Sequence, residues 1–429
     1  MTTVGTEMHA LIARLYPICR SITGDGVRET LRIIREQVPI ELREVATGTE
    51  AFDWTVPKEW NIRDAWIKDS AGERLVDFRQ LNLHVVSYSC PVQGRMRLAE
   101  LKRHLFTSAG HPDWVPYRTS YYDEDWGFCL SEKQLAQFGA DEEYEVCIDS
   151  SLEDGHLTYG ELLLKGEQPE EVLISCHVCH PSLANDNLSG ISLAVQLARH
   201  LARAPRRYSY RFLFIPGTIG SITWLAQNQE IVPRIRHGLV LTCVGDAANI
   251  TYKRSRRGNA ETDRAFAHIL KHSGDPYQLI DFFPYGYDER QYCSPGFNLP
   301  VGCLMRSRHG EFPEYHTSAD NLGFVRAEAL ADSLEKCLAV IDVLEHDRFY
   351  LNRNPKCEPQ LGRRGLYEGL AAGESGRTRE LALLWVLNLS DGGHSLLDIA
   401  ERANLPFTAI KEAAAALTAT DLLTAASSG

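Results

Sequence analysis

The chain has 429 residues, 44% hydrophobic and 24% charged, a composition typical of a soluble globular protein long enough for two or three domains. With 45 basic residues against 57 acidic ones, its net charge of -12 argues against a nucleic-acid or anionic-membrane surface spread over the whole molecule. No stretch approaches the about 18 uninterrupted apolar residues of a membrane span, and residues 1–13 lack a basic segment followed by a long apolar run, so a cytoplasmic protein without membrane association is expected. The 11 cysteines, an odd number scattered from Cys19 to Cys357, read as buried thiols and not as a disulfide framework.

Residues 9–21 and 27–37 carry apolar positions at three- and four-residue intervals and predict two helices, separated by Gly24-Asp25-Gly26. Residues 52–131 change to short alternating or aromatic-rich stretches broken by Asp69-Ser70-Ala71-Gly72 and Pro91, which predicts a β-rich inserted domain. After Glu142, strand patterns at 162–165, 172–175, 212–215 and 239–244 alternate with amphipathic helices at 190–202, 222–228 and 261–272. That alternation predicts an α/β fold with a mostly parallel mixed sheet flanked by helices, built from residues 1–51 and 132–352. In such sheets ligands sit beyond the carboxyl ends of the strands, which selects the stretches starting at Cys176, Pro216 and Gly245.

A helix over 328–346 closes this unit, Asn352-Arg353-Asn354-Pro355 reads as a linker, and residues 357–429 form a separate small unit. Its helical patterns at 379–389, 395–403 and 408–416, with the turn Asn404-Leu405-Pro406, have winged helix-turn-helix spacing. From Arg377 onward it holds four basic residues (Arg377, Arg379, Arg402, Lys411) and six acidic ones (Glu380, Asp391, Asp398, Glu401, Glu412, Asp421). A DNA-reading helix should be basic, so packing or dimerisation is expected of this unit and no nucleic-acid partner; a homo-oligomer is compatible with it.

The chemistry concentrates in two stretches. Residues 174–190 read Ile-Ser-Cys-His-Val-Cys-His-Pro-Ser-Leu-Ala-Asn-Asp-Asn-Leu-Ser-Gly, placing two histidines and an aspartate between a buried strand and a helix. Imidazole and carboxylate suit a first-row metal such as zinc. Taken alone, His177 and His180 read more readily as hydrogen-bonded loop histidines. The second stretch tips the balance: Glu311-Phe312-Pro313-Glu314-Tyr315-His316-Thr317-Ser318-Ala319-Asp320-Asn321 follows a strand pattern at 301–306 and lets His316 reach the same crevice. Cys176-His177-Val178-Cys179-His180 also satisfies a haem-attachment pattern, which the lack of an export signal argues against, and its two cysteines read as packing or as a soft ligand.

Strand, His-Pro-x-x-x-x-Asp-Asn-x-Ser-Gly opening a helix, then a late Tyr-His-Thr-x-x-Asp resembles the co-catalytic zinc exopeptidases, which include leucyl aminopeptidases and glutaminyl cyclases. Over nearly its full length the chain is similar to bacterial aminopeptidase-like proteins with an inserted β-domain and a C-terminal winged helix, a closer likeness carried by residues 285–296 (Tyr-Gly-Tyr-Asp-Glu-Arg-Gln-Tyr-Cys-Ser-Pro-Gly) and 216–221 (Pro-Gly-Thr-Ile-Gly-Ser). The resemblance implies His180, Asp186 and His316 as metal ligands. It also exposes departures: the family's glutamate pair after the third strand reads Gly217-Thr218, its next aspartate ligand reads Thr242 with Asp246 four residues on, and its His-x-Asp reads His180-Pro181-Ser182. Two histidines and one carboxylate fit a single zinc ion with an open position.

An acidic group must then be found for proton transfer, and Asp288 and Glu289 are the first candidates, Glu311 and Glu314 the next. Arg290 is suited to a substrate carboxylate, though Asp288-Glu289-Arg290 reads equally well as a salt-bridge cluster that orders its loop; Tyr122 with Asp123 is suited to a cationic amine, though the run 121–127 reads more readily as an exposed turn with a core tryptophan. The expectation is a zinc-dependent amide or peptide hydrolase acting on a small biosynthetic intermediate or peptide. Zinc-dependent acyl transfer or cyclisation, and a catalytically silent binding or scaffold role, are the alternatives.

Overall fold

The segments Glu171–His177 and Ser209–Ile215 are buried at every position, so they are covered on both faces and read as continuous runs, as strands inside a helix-flanked sheet must. They lie at the centre of an eight-stranded sheet whose order across its width is Glu41–Ala46, His156–Leu164, Ser209–Ile215, Glu171–His177, Ile235–Leu241, Val301–Met305, Ile250–Lys253 and Tyr277–Ile280. The four strands from Ser209–Ile215 to Val301–Met305 run parallel. Antiparallel pairing brings in His156–Leu164 and Glu41–Ala46 on one side and Ile250–Lys253 on the other, so the sheet is mixed. The helices Gly190–Leu201, Ile219–Gln227 and Ala327–His346 follow the patterns expected at 190–202, 222–228 and 328–346.

The computed structural model describes residues 3–367 and 374–426. Of the C-terminal unit expected at 357–429, positions 368–373 and 427–429 lie outside the described residues. No helix among the described residues is long and apolar enough to cross a membrane.

Two compact units emerge, one from the chain up to Gly258 with Tyr277–Leu334, the other from Asn259–Pro276 and the chain from Glu335 onward. Three expected boundaries are corrected. The insertion extends past residue 131, because Glu143–Glu153 pairs along its length with Glu59–Lys68 and with Val92–Arg97 in a separate four-stranded antiparallel sheet. Burial along Glu143–Glu153 alternates, the mark of a strand with one covered face and not of a central parallel strand. The C-terminal unit begins before residue 357, since Phe349–Asn352, expected at the end of the sheet unit, is the middle strand of a three-stranded sheet with Asp391–Ser395 and Leu423–Ala425.

The third boundary concerns the helix Glu261–His272, expected in the sheet unit. It groups instead with the C-terminal unit, where Arg264 is paired with Asp398 at 2.6 Å and with Glu401 at 2.5 Å. These two carboxylates stand on the helix Leu396–Ala403, whose start is fixed by a Ser395–Asp398 capping box. Lys411, one of the four basic residues counted there, is likewise held by Asp342 at 2.6 Å.

Candidate metal centre

The loop after Glu171–His177 is shaped by its own motif. Asn185 and Asp186 donate their backbone N–H groups to the two carboxylate oxygens of Asp320, at 2.6 and 2.9 Å, so the Asp of the late Tyr-His-Thr-x-x-Asp run holds the Asn-Asp-Asn run in place. Asn185 Oδ1 accepts from Gly245 N at 2.9 Å, Asn187 Nδ2 donates to the Leu241 carbonyl at 3.0 Å, and Ser189 Oγ accepts from Val244 N at 3.0 Å. The first residue of the helix is glycine because a Cβ at Gly190 would lie 2.5 Å from the Leu241 carbonyl oxygen. Nearly every polar group of the motif is thus spent on presenting Asp186.

Asp186 is fully buried and receives three imidazoles. His177 Nε2 is 2.8 Å from Oδ1, while His180 Nδ1 and His316 Nε2 lie 3.3 and 3.0 Å from Oδ2. The ligand atoms of His177, His180 and Asp186 all lie within 4.8 Å of one another, and His316 joins through the same carboxylate. Donors bonded to one tetrahedral zinc at about 2.0–2.1 Å sit roughly 3.3 Å apart, so two neutral imidazoles and a carboxylate at these separations fit that ion. Burial raises the cost of charging Asp186, but the surrounding His180, His177 and His316 outweigh it and hold its carboxyl well below the usual range. Burial also lowers His177, to about 3, and lowers His316, which keeps both imidazoles neutral and able to act as ligands.

His316 takes φ of 55°, a conformation costly for a residue with a Cβ, and the inserted domain holds it there. Tyr117 N donates to the His316 carbonyl at 2.7 Å, and Ser318 N and Oγ bond the Val115 backbone at 2.8 and 3.0 Å. On the far side, Arg20, fully buried, donates from Nε to the His180 carbonyl at 3.0 Å.

Above this cluster lies a cavity of about 410 Å³, lined by His180 and His316 but not His177. Its walls are Trp54, Tyr117, Tyr121, Tyr122 and Tyr287, with Ile219 and Ile222. Tyr287 is the main residue the sequence reading missed as a site group, although it stands in the stretch 285–296 that carried the resemblance. Its hydroxyl lies 3.3 Å from His180 Nε2, donates to the Gly217 carbonyl at 3.2 Å and meets Cys179 Sγ at 3.2 Å. The hydroxyl thereby fixes the edge of the His180 ring opposite Asp186.

Tyr287 also explains Gly217. A Cβ at Gly217 would fall 1.9 Å from Tyr287 Cε1, so the ring fills the space into which a side chain at that position would extend. Asp246 is not directed at the cluster: it accepts from Asn185 Nδ2 at 2.8 Å, Ala248 N at 2.8 Å and Ser307 Oγ at 3.0 Å. Thr242 Oγ1 is 3.1 Å from His309 Nε2.

The acid–base assignments are corrected. Glu289 is buried in an ion pair with Lys253 and accepts from Tyr287 N at 3.1 Å, so its oxygens are committed to ordering the loop. Asp288 is buried, accepts from Ser221 Oγ at 2.8 Å and does not line the cavity. Glu311 is an exposed partner of Arg308, 3.2 Å away, and Glu314 is absent from the cavity wall. Of the expected substrate-binding residues, Arg290 and Tyr122 line the cavity, whereas Asp123 is exposed in a turn outside it, its N–H donated to the Ser120 carbonyl at 2.8 Å. Local hydrogen bonding in that turn brings Tyr121 and Tyr122 to the cavity and leaves the acidic groups at the surface.

Burial pushes the Asp288 carboxyl up to about 7, the Ser221 hydroxyl opposing and Glu289 adding to the rise. A carboxyl raised above its unfolded value contributes stability that is present below about pH 4 and is lost as pH rises through about 7. Asp288→Asn keeps the Ser221 bond without the charge. It is therefore expected to be near neutral at about pH 3.5 and to stabilise the protein by at least about 1 kcal/mol at pH 8. Urea unfolding at the two pH values measures this; equal effects at both would show that the wild-type carboxyl is not buried in the way described.

Residues 9–347 match the family described as a domain of unknown function, DUF4910, and residues 348–425 match a winged helix-turn-helix family. The chain belongs to the DUF4910 family. A Clostridium acetobutylicum relative, 54% identical over 98% of this chain and 96% of its own, is named as a candidate polysaccharide biosynthesis protein with an aminopeptidase-like domain. A crystal structure of a candidate peptidase from the same organism has 53% identity and a TM-score of 0.94, covering 98% of this chain and 96% of that one. The zinc aminopeptidase of Bacillus subtilis shares the fold at 13% identity, with a TM-score of 0.58 over 79% of this chain and 94% of that one. The resemblance read from the two motifs therefore holds at the level of family and fold, and the match over 348–425 agrees with a C-terminal unit that begins at its first strand.

Proposed function

We propose that the chain is a metal-dependent amide or peptide hydrolase, with one zinc ion held by His180, Asp186 and His316. The observation that carries this reading is the convergence of three imidazoles on one buried carboxylate at the floor of an aromatic cavity. His180 and His316 are favoured as ligands because they face the cavity, while His177, bonded to the other carboxylate oxygen, orients it. A zinc ion at this place supplies Lewis acidity toward a carbonyl or a water molecule.

The chain's own contribution is positioning. Tyr287 keeps His180 turned toward Asp186, and Asp320 keeps Asp186 beneath the cavity. Burial raises the phenols of Tyr117, Tyr121 and Tyr287 well above their ordinary value, so at neutral pH they are not bases; Tyr287 spends its proton on the Gly217 carbonyl, and of Tyr117 and Tyr121, whose hydroxyls are 3.1 Å apart, one keeps a proton for charge developing on a substrate oxygen. No carboxylate lines the cavity among the described residues, which favours, as a second reading, acyl transfer or cyclisation that needs no activated water.

The test is to load the purified protein with zinc, measure bound metal, and assay a panel of acylated and aminoacyl amides for release of amine. About one ion per chain is expected, with turnover abolished by chelation and by His316→Ala. Under about a tenth of an equivalent of tightly bound metal would overturn the metal assignment, and metal without turnover would overturn hydrolysis.

A further inference from the structure

The polarity of the cavity wall is opposite to what a free amine requires. An ammonium group is held by carboxylates, and none lines the cavity among the described residues; the nearby acids Glu289, Asp288 and Asp123 are paired, buried behind the wall or turned outward. Arg118 and Arg290 do line it. Neither guanidinium has an ion pair or hydrogen bond to another described residue; Arg118 stacks 4.2 Å over the Phe106 ring and Arg290 is exposed. Stacking leaves the edge of a guanidinium, and hence its paired N–H donors, available to a planar anion.

A third guanidinium strengthens this polarity. Arg20 is buried against the His180 loop, and its donors go to the His180 and Leu15 carbonyls and to Thr30 Oγ1, with Nη2 left without a partner and no ion pair to a carboxylate among the described residues. A buried positive charge compensated only by carbonyl dipoles contributes a favourable potential for an anion nearby. The remaining walls, Trp54, Tyr117, Tyr121, Tyr122, Ile219 and Ile222, are broad apolar surfaces.

We infer that the substrate is an anionic amide, an N-acylated amino acid whose free carboxylate docks on Arg290 and Arg118 while its apolar part lies against the aromatic walls. This rests on the hydrolase reading and reverses the substrate polarity that an aminopeptidase fold suggests. In the reaction the oxygen of water joins the acyl carbon, the C–N bond breaks, and the amino acid leaves with its nitrogen protonated by the hydrogen that water supplies.

Three probes of one shape separate the possibilities: N-acetylphenylalanine, its neutral carboxamide, and cationic phenylalaninamide. Their binding is measured by titration calorimetry on the zinc-loaded and the metal-stripped full chain. The anion is expected to bind at least about tenfold more tightly than either other probe, a preference that persists in part without metal. In the Arg118→Gln/Arg290→Gln variant, whose changes are at exposed positions, that preference should fall to within about twofold while the carboxamide binds as before.

Equal binding of all three probes, tighter binding of the cation, or no binding of the anion would overturn the inference. So would an anion preference unchanged in the double variant. Turnover assays on the same compounds keep the two claims apart. Anion preference without turnover sinks hydrolysis alone, whereas release of phenylalanine from phenylalaninamide with no anion preference leaves hydrolysis standing and removes this substrate class.

Discussion

Asp186→Asn is expected to reduce zinc retained after dialysis from about one equivalent to under about a tenth, and to weaken zinc binding by at least about a hundredfold. All three imidazoles address this one carboxylate, and two of them share a single oxygen, so no other residue of the cluster can replace it. The substitution conserves volume, and the bonds that shape the loop are backbone donations from Asn185 and Asp186 to Asp320, which asparagine leaves intact. Loss of metal without loss of secondary structure is therefore the expected pair of results, read by metal analysis and circular dichroism. Zinc affinity within about tenfold of wild type would show that the ion, if bound, is held elsewhere. His177→Ala and His316→Ala then separate the ligand from the orienting group: the cavity-facing His316 should cost the larger loss of metal.

The second large effect is steric. Gly217→Ala should destabilise the sheet unit by about 1–3 kcal/mol, because its Cβ would overlap Tyr287 Cε1 at 1.9 Å and an aromatic ring cannot relieve that by a terminal rotation. The ring packs on His177 with centroids 3.7 Å apart, so its displacement would also release the hydroxyl from His180 and from the Gly217 carbonyl. Combining Gly217→Ala with Tyr287→Ala tests the mechanism, since removing the ring should recover much of the loss due to the methyl group. Coupled thermal midpoints in this double-mutant cycle are expected, and additive ones would refute the packing explanation. By the same reasoning Gly217→Glu cannot restore a glutamate base.

Much of this was legible in the chain because the signals are local. The buried strand Glu171–His177, the histidines after it and the Asn-Asp-Asn-x-Ser-Gly start of a helix are contiguous, and spacing alone links them. The winged-helix elements were legible for the same reason, through short amphipathic helices and the turn Asn404-Leu405-Pro406. The acid–base assignment was not. Asp288 and Glu289 look like available carboxylates in a sequence, and only the fold brings Ser221 to one and Lys253 to the other across separations of 67 and 36 residues.

The insertion was misjudged at its second boundary because a strand's sheet is decided by partners far along the chain. Glu143–Glu153 finds Glu59–Lys68, and the segment between them folds back so that Tyr117 pins the His316 backbone. By itself, then, the sequence determined the two histidine- and aspartate-bearing motifs and the α/β frame, since both depend on neighbours within one loop or one helical turn. Tertiary structure alone decided which charges remain available, why a glycine stands at position 217, and that the cavity wall is cationic and aromatic. Those properties arise from packing between distant segments, where burial and pairing determine what a side chain can do.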